Sequence, residues 1–109
     1  MLEGLFGSVY KEKILLILYL QGESYALKIS FLLECDLSPI QNQLEKMETG
    51  GILVSKLAGK TRLYSFNPRF PFLEELKKLI KKMTEFYSRE ELDKLTLIRT
   101  RPRRKGKPL

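Results

Sequence analysis

Three consecutive amides, Gln41, Asn42 and Gln43, with Lys46 one helical turn beyond them, carry the densest hydrogen-bonding chemistry in the chain. An amide side chain presents a donor and an acceptor side by side, which matches the edge of an adenine, and a lysine one turn later reaches a phosphate. Further along, Lys60, Thr61 and Arg62 follow Gly59 in a short turn, where two cations and a hydroxyl suit a sugar-phosphate backbone. The same residue types have plainer uses as a solvated helix face and as charges that guard an edge strand against aggregation. The elements that carry them decide between these uses.

At about 100° per residue, Leu37, Ile40, Leu44 and Met47 cluster on one side of a third helix. Ser38, Pro39, Asn42, Lys46 and Thr49 hold the opposite side, with Gln41 and Gln43 on the flanks. Two starts are open: Asp36 as N-cap, or Ser38 with Pro39 at the first helical position and Gln41 completing a capping box. Asp36 is preferred, because it keeps Leu37 in phase with the apolar side. The helix stops at Gly50-Gly51 and runs into strands over residues 52–57 and 61–66, joined by a hairpin at Ala58-Gly59-Lys60. Lys56, Lys60 and Arg62 are expected to cluster at this hairpin, while Glu45 and Glu48 restrict how much of the helix can approach an anionic backbone.

Around this segment, Ser8 is a fitting N-cap for a first helix that Gly22 closes, with Ile14, Leu15, Leu18 and Tyr19 on its buried side. A second helix over residues 26–34 is expected to pack through Leu27, Ile29, Leu32 and Leu33, ahead of a turn at Cys35-Asp36. A fourth helix over residues 72–87 carries Phe72, Leu76, Leu79, Ile80, Met83, Phe86 and Tyr87 on one side and Lys77, Lys78, Lys81 and Lys82 largely on the other. So much apolar surface suggests pairing with the same helix of a second copy. Ser88-Arg89-Glu90-Glu91 is a capping box that opens a fifth helix ending near residue 98. These elements make an α+β chain, mainly α with a small β-hairpin. Residues 1–68 form the first unit, 69–98 the C-terminal helices and 99–109 a basic tail expected to be disordered.

The formal charge of the 109 residues is +7, but six cations and no acid lie from Arg99 onward. Residues 1–98 carry 14 basic and 13 acidic groups. The body must therefore meet a polyanion through a local patch. The tail, with Arg101, Arg103 and Arg104, has the composition of a minor-groove arm, although it lacks the glycine before the Arg-Pro step of an AT-hook. With no histidine, one cysteine and no phosphate-cradling glycine loop, the chain offers no catalytic, metal-binding or cofactor motif. A single cysteine, no secretory leader and no apolar run near the ~20 residues of a membrane span point to a cytoplasmic, membrane-free protein.

Four blocks together resemble the ArsR-like winged helix transcriptional regulators of bacteria and archaea. They are Leu5-Phe6-Gly7-Ser8, Glu23-Ser24-Tyr25-Ala26-Leu27-Lys28-Ile29-Ser30, residues 44–54 with their Gly-Gly stop, and Gly59-Lys60-Thr61-Arg62-Leu63-Tyr64-Ser65-Phe66-Asn67-Pro68. The similarity spans about residues 4–83. It implies a winged helix-turn-helix that binds double-stranded DNA as a homodimer, as repressor or activator. By that resemblance Ser38, Pro39, Gln41, Asn42, Gln43 and Lys46 face the major groove, and Lys60, Thr61 and Arg62 form the tip of the wing. The cysteine and histidine clusters of the metal-sensing members are missing, which excludes that role. The rival expectation is a protein-interaction module whose basic tail alone touches nucleic acid.

Overall fold

Ser8 starts the helix around which the rest of the chain is built. In the computed structural model, which describes residues 3–96, α1 (Glu3–Phe6) leads into α2 (Val9–Gln21). Ser8 Oγ accepts from the backbone N–H of Tyr10 at 3.1 Å and of Lys11 at 3.4 Å, satisfying donors that the helix itself cannot. Gly22, at φ 88°, ends α2 and donates to the Leu18 carbonyl.

Residues 14–18 are all buried, none more than 1% exposed. One-sided packing through Ile14, Leu15, Leu18 and Tyr19 is thus too narrow a description, for Leu16 and Ile17 are buried as deeply and Tyr19 only in part. The reason is that α2 is covered on every side, by α1, the sheet and the three helices α3 (Ala26–Leu33), α4 (Leu37–Thr49) and α5 (Leu73–Thr84).

Helix α3 buries Ile29 and Ser30 and leaves Leu27 and Phe31 more than 60% exposed, which corrects the expected inward role of Leu27. Glu34 closes α3 in the left-handed region at φ 54°, an uncommon conformation for a residue with a side chain. Asp36 then caps α4 by position, with no hydrogen bond from its carboxylate to the helix. Ile40, Leu44 and Met47 are buried, while Leu37 at the rim is 36% exposed. The far end of α4 is a Schellman stop: Ile52 N–H donates to the Met47 carbonyl and Gly51 N–H to that of Glu48, with Gly51 at φ 86°.

That stop feeds β2 (Leu53–Ala58), which pairs antiparallel with β3 (Thr61–Phe66) from Leu53↔Phe66 to Ala58↔Thr61. The loop is Gly59-Lys60 alone; Gly59 at φ 66° with Lys60 at negative φ is the pattern of a type II′ turn, whose twist suits a hairpin. A two-residue strand that no sequence pattern announces, β1 (Glu23–Ser24), adds to β3 and makes a three-stranded antiparallel sheet of order β1-β3-β2. Asn67 closes the base of the hairpin, its amide donating to the Gly51 carbonyl at 2.8 Å and its N–H to that of Ile52 at 2.9 Å.

Helix α5 covers residues 73–84 of the expected 72–87, with Phe72 at its N-cap. Ile80 and Met83 are buried in the same core as α2 and α4. Ser88 and Glu91 form the capping box of α6 (Arg89–Lys94), which ends short of residue 98. Gln21 donates to the Leu95 carbonyl at 2.7 Å and Tyr87 Oη to the wholly buried Glu12 at 2.5 Å, tying the C-terminal helices to α2. The described residues are thus an α+β fold of six helices and one sheet. Among them no helix is long and apolar enough to cross a membrane.

Candidate nucleic-acid interface

Because Ile40, Leu44 and Met47 anchor α4 in the core, the opposite side of the helix must face solvent. Ser38, Gln41, Asn42, Glu45, Lys46 and Thr49 are exposed there, and Asn42, Glu45, Lys46 and Thr49 line an open groove along it. Pro39 is half-buried and lacks an N–H, so it can supply contact but no donated hydrogen bond. Gln43 parts from its two amide neighbours: it is half-buried, and its Oε1 lies out of solvent with no hydrogen-bond partner among the described residues. The 100° step sets Gln43, on the flank next to Met47, apart from Asn42 on the opposite side, but Gln41 holds the matching position on the other flank and is exposed, so the neighbouring elements decide which flank is covered.

The hairpin places Lys60 at its exposed tip, with Thr61 half-buried and Arg62 exposed. The register separates two cations, Lys56 and Arg62, that their spacing predicts to cluster. Lys56 opposes Leu63 and Arg62 opposes Leu57, so Lys56 and Arg62 point to opposite faces. Lys56 turns away from α4 and reaches Glu23 of β1 at 3.9 Å, with both side chains at least half exposed. Arg62 turns toward α4. Its Nη1 donates to Ser55 Oγ at 2.9 Å, and Ser55 Oγ donates to Glu48 Oε2 at 2.7 Å.

Glu48 and Ser55 therefore belong to the site, the first as an acceptor and the second as a relay. Their signal in the sequence was available only through the register, because a two-residue loop at Gly59-Lys60 puts Ser55 diagonal to Arg62 on one face. Tyr64, opposite Ser55, is held above the usual phenol range chiefly by burial and then by the charge of Glu48, with Arg62 pulling the other way. Leu57, opposite Arg62, is 62% exposed and gives the tip an apolar element.

Elsewhere, burial pushes the Cys35 thiol up, assisted by the charge of Asp36, so at neutral pH it is a protonated side chain of low reactivity. Among the described residues no group of three His, Cys, Asp or Glu side chains could hold a metal ion. On α5 the four lysines are exposed; Lys77 lies over the Phe66 ring at 5.8 Å, and Lys82 pairs with Glu85 at 3.3 Å. The apolar surface that α5 leaves open is concentrated in Phe72 and Phe86 beyond its two ends, each more than 60% exposed. Leu76 and Leu79 are partly covered within the chain. Arg101, Arg103 and Arg104 lie outside the described residues. No family model, curated protein or solved structure matches this chain.

Proposed function

We propose that this chain is a sequence-specific, DNA-binding transcriptional regulator of the winged helix-turn-helix type. One observation carries the reading. The polar stripe of α4, free of large apolar side chains, is joined by the Gly50-Gly51 stop directly to a hairpin with Lys60 at its tip and Arg62 on the α4 side. In this reading α3 and α4 are the helix pair and α4 enters the major groove. Gln41 and Asn42 read base edges, Ser38 and Pro39 make close contacts at the helix start, and Lys46 meets a phosphate. The hairpin, as wing, brings Lys60, Thr61 and Arg62 to the minor groove or its backbone. Gln43, half-buried with its amide oxygen out of solvent, offers a base edge the donors of its amide NH2 group but not its acceptor.

The regulator acts as a homodimer through α5 and its flanking Phe72 and Phe86, which would set two copies of α4 about 34 to 36 Å apart on one face of a duplex. Arg101, Arg103 and Arg104 would add a salt-sensitive tether, since residues 1–98 are close to neutral. The test is selection of bound duplexes from a random-sequence library with the full chain. Asn42→Ala and Arg62→Ala are expected each to weaken binding to the selected duplex by ~1 to 3 kcal/mol. If only deletion of residues 99–109 matters, the readout assigned to α4 and the hairpin is wrong.

A second reading, a protein-interaction module with a nucleic-acid-binding tail, draws on Leu27 and Phe31. They stand one turn apart on α3, both exposed.

A further inference from the structure

We infer that Ser55 is a positioning residue for Arg62, holding the guanidinium on the α4 side of the hairpin so that helix and wing meet a duplex as one unit. This rests on the DNA-binding reading above and names a residue that the reading does not require. An exposed arginine has many rotamers, and most would point away from α4. Ser55 removes that freedom. Its hydroxyl has one proton, given to Glu48 Oε2 at 2.7 Å, which leaves the oxygen lone pairs to accept from Arg62 Nη1 at 2.9 Å. A hydroxyl that donates to a carboxylate is also a stronger acceptor, so each bond of the chain strengthens the other.

The anchor is a helix rather than a loop. Glu48 lies in the last turn of α4, where its own carbonyl accepts from Gly51 in the Schellman stop. Arg62 commits one of its five N–H donors to this chain and keeps the others for phosphate or base acceptors. Lys60, by contrast, has no hydrogen bond or ion pair to any described residue. The tip is therefore adaptable and its base is oriented.

The experiment compares the full chain and four variants on two duplexes of equal length, one recovered by selection from a random library and one with that sequence scrambled, using equilibrium fluorescence anisotropy. Arg62→Ala is expected to weaken binding to the selected duplex about tenfold. Ser55→Ala should weaken it about threefold to tenfold and leave the scrambled duplex almost unaffected, because no charge changes. Ser55→Thr, which keeps the hydroxyl and suits a strand, should restore wild-type discrimination. Ser55→Ala combined with Arg62→Ala should be no weaker than Arg62→Ala alone. Additive losses in the double variant, or Ser55→Thr behaving like Ser55→Ala, would overturn the positioning role while leaving the effect of Arg62→Ala, and with it the DNA reading, in place. No selectable duplex, or an Arg62→Ala variant that binds like wild type, would remove both.

Discussion

Helices α2 and α4 are each thirteen residues long, yet they treat solvent in opposite ways. In α2 five consecutive side chains are buried, so no face is left over for a partner. In α4 the buried side chains are Ile40, Leu44 and Met47, spaced by one turn, with Leu37 at their rim, and the opposite side carries Ser38, Asn42, Lys46 and Thr49. The lesson is a division of labour: α2 holds the fold together, and α4 presents a surface that the fold has no need of. Helices α3 and α5 lie between these extremes, each burying one side, with Leu27 and Phe31 open on α3 and Phe72 and Phe86 open beyond the two ends of α5.

The largest effect should come from breaking the α2 side of this contrast. Ile17→Ala removes a fully buried side chain from the centre of the core and is expected to lower unfolding free energy by ~2 to 5 kcal/mol in urea denaturation. The protein that remains folded should keep its duplex preference. Asn42→Ala should do the reverse, leaving the denaturation midpoint in place and weakening the selected duplex. A variant of either kind that moved both readouts equally would mean that the two helices are not separate in function.

Tyr64, buried on β3 within reach of the charge of Glu48 on α4, adds a pH dependence. Its folded pKa is raised, so folding favours the protonated phenol. The stabilisation is complete below the unfolded value near 10 and is lost as pH rises through the higher folded value. Stability should therefore fall in alkaline solution above about pH 10, and Tyr64→Phe should flatten that part of the curve. An identical alkaline slope in the two proteins would assign the loss to other groups.

The smallest effect is expected at Lys56. Its exposed pair with Glu23, at 3.9 Å, contributes on the order of 0 to 1 kcal/mol, so Lys56→Ala should barely change the thermal midpoint. On the selected duplex it should also matter far less than Arg62→Ala, since the register turns Lys56 away from α4. Equal losses for the two variants would show that a binding surface extends over both faces of the hairpin.

Much of the local structure is legible because its signals are local. Ser8 and Gly22 bound α2, Asp36 rather than Ser38 begins α4, Gly59 marks the hairpin, and Ser88 with Glu91 forms a complete capping box. Each depends on backbone groups a few residues away. Strand β1 was not legible: two residues carry no period, and their partners, Tyr64 and Ser65, lie far along the chain. The depth of Leu16 and Ile17, the exposure of Leu27 and the inward turn of Gln43 were hidden for a related reason. Each depends on which neighbouring elements arrive to cover a face.

From its residues alone, this chain determines where helices start and stop, the amphipathic phase of α4 and the two-residue hairpin, all of which follow from capping, φ preference and hydrophobic period. Tertiary structure decided the rest: that α2 is covered all round, that β1 joins the sheet, and that Lys56 and Arg62 lie on opposite faces, with Arg62 held through Ser55 to Glu48. The physical reason is the range of the interactions. A cap or a turn is satisfied by atoms a few residues away, whereas burial, strand pairing and a hydrogen-bonded chain across a hairpin exist only once distant segments have met.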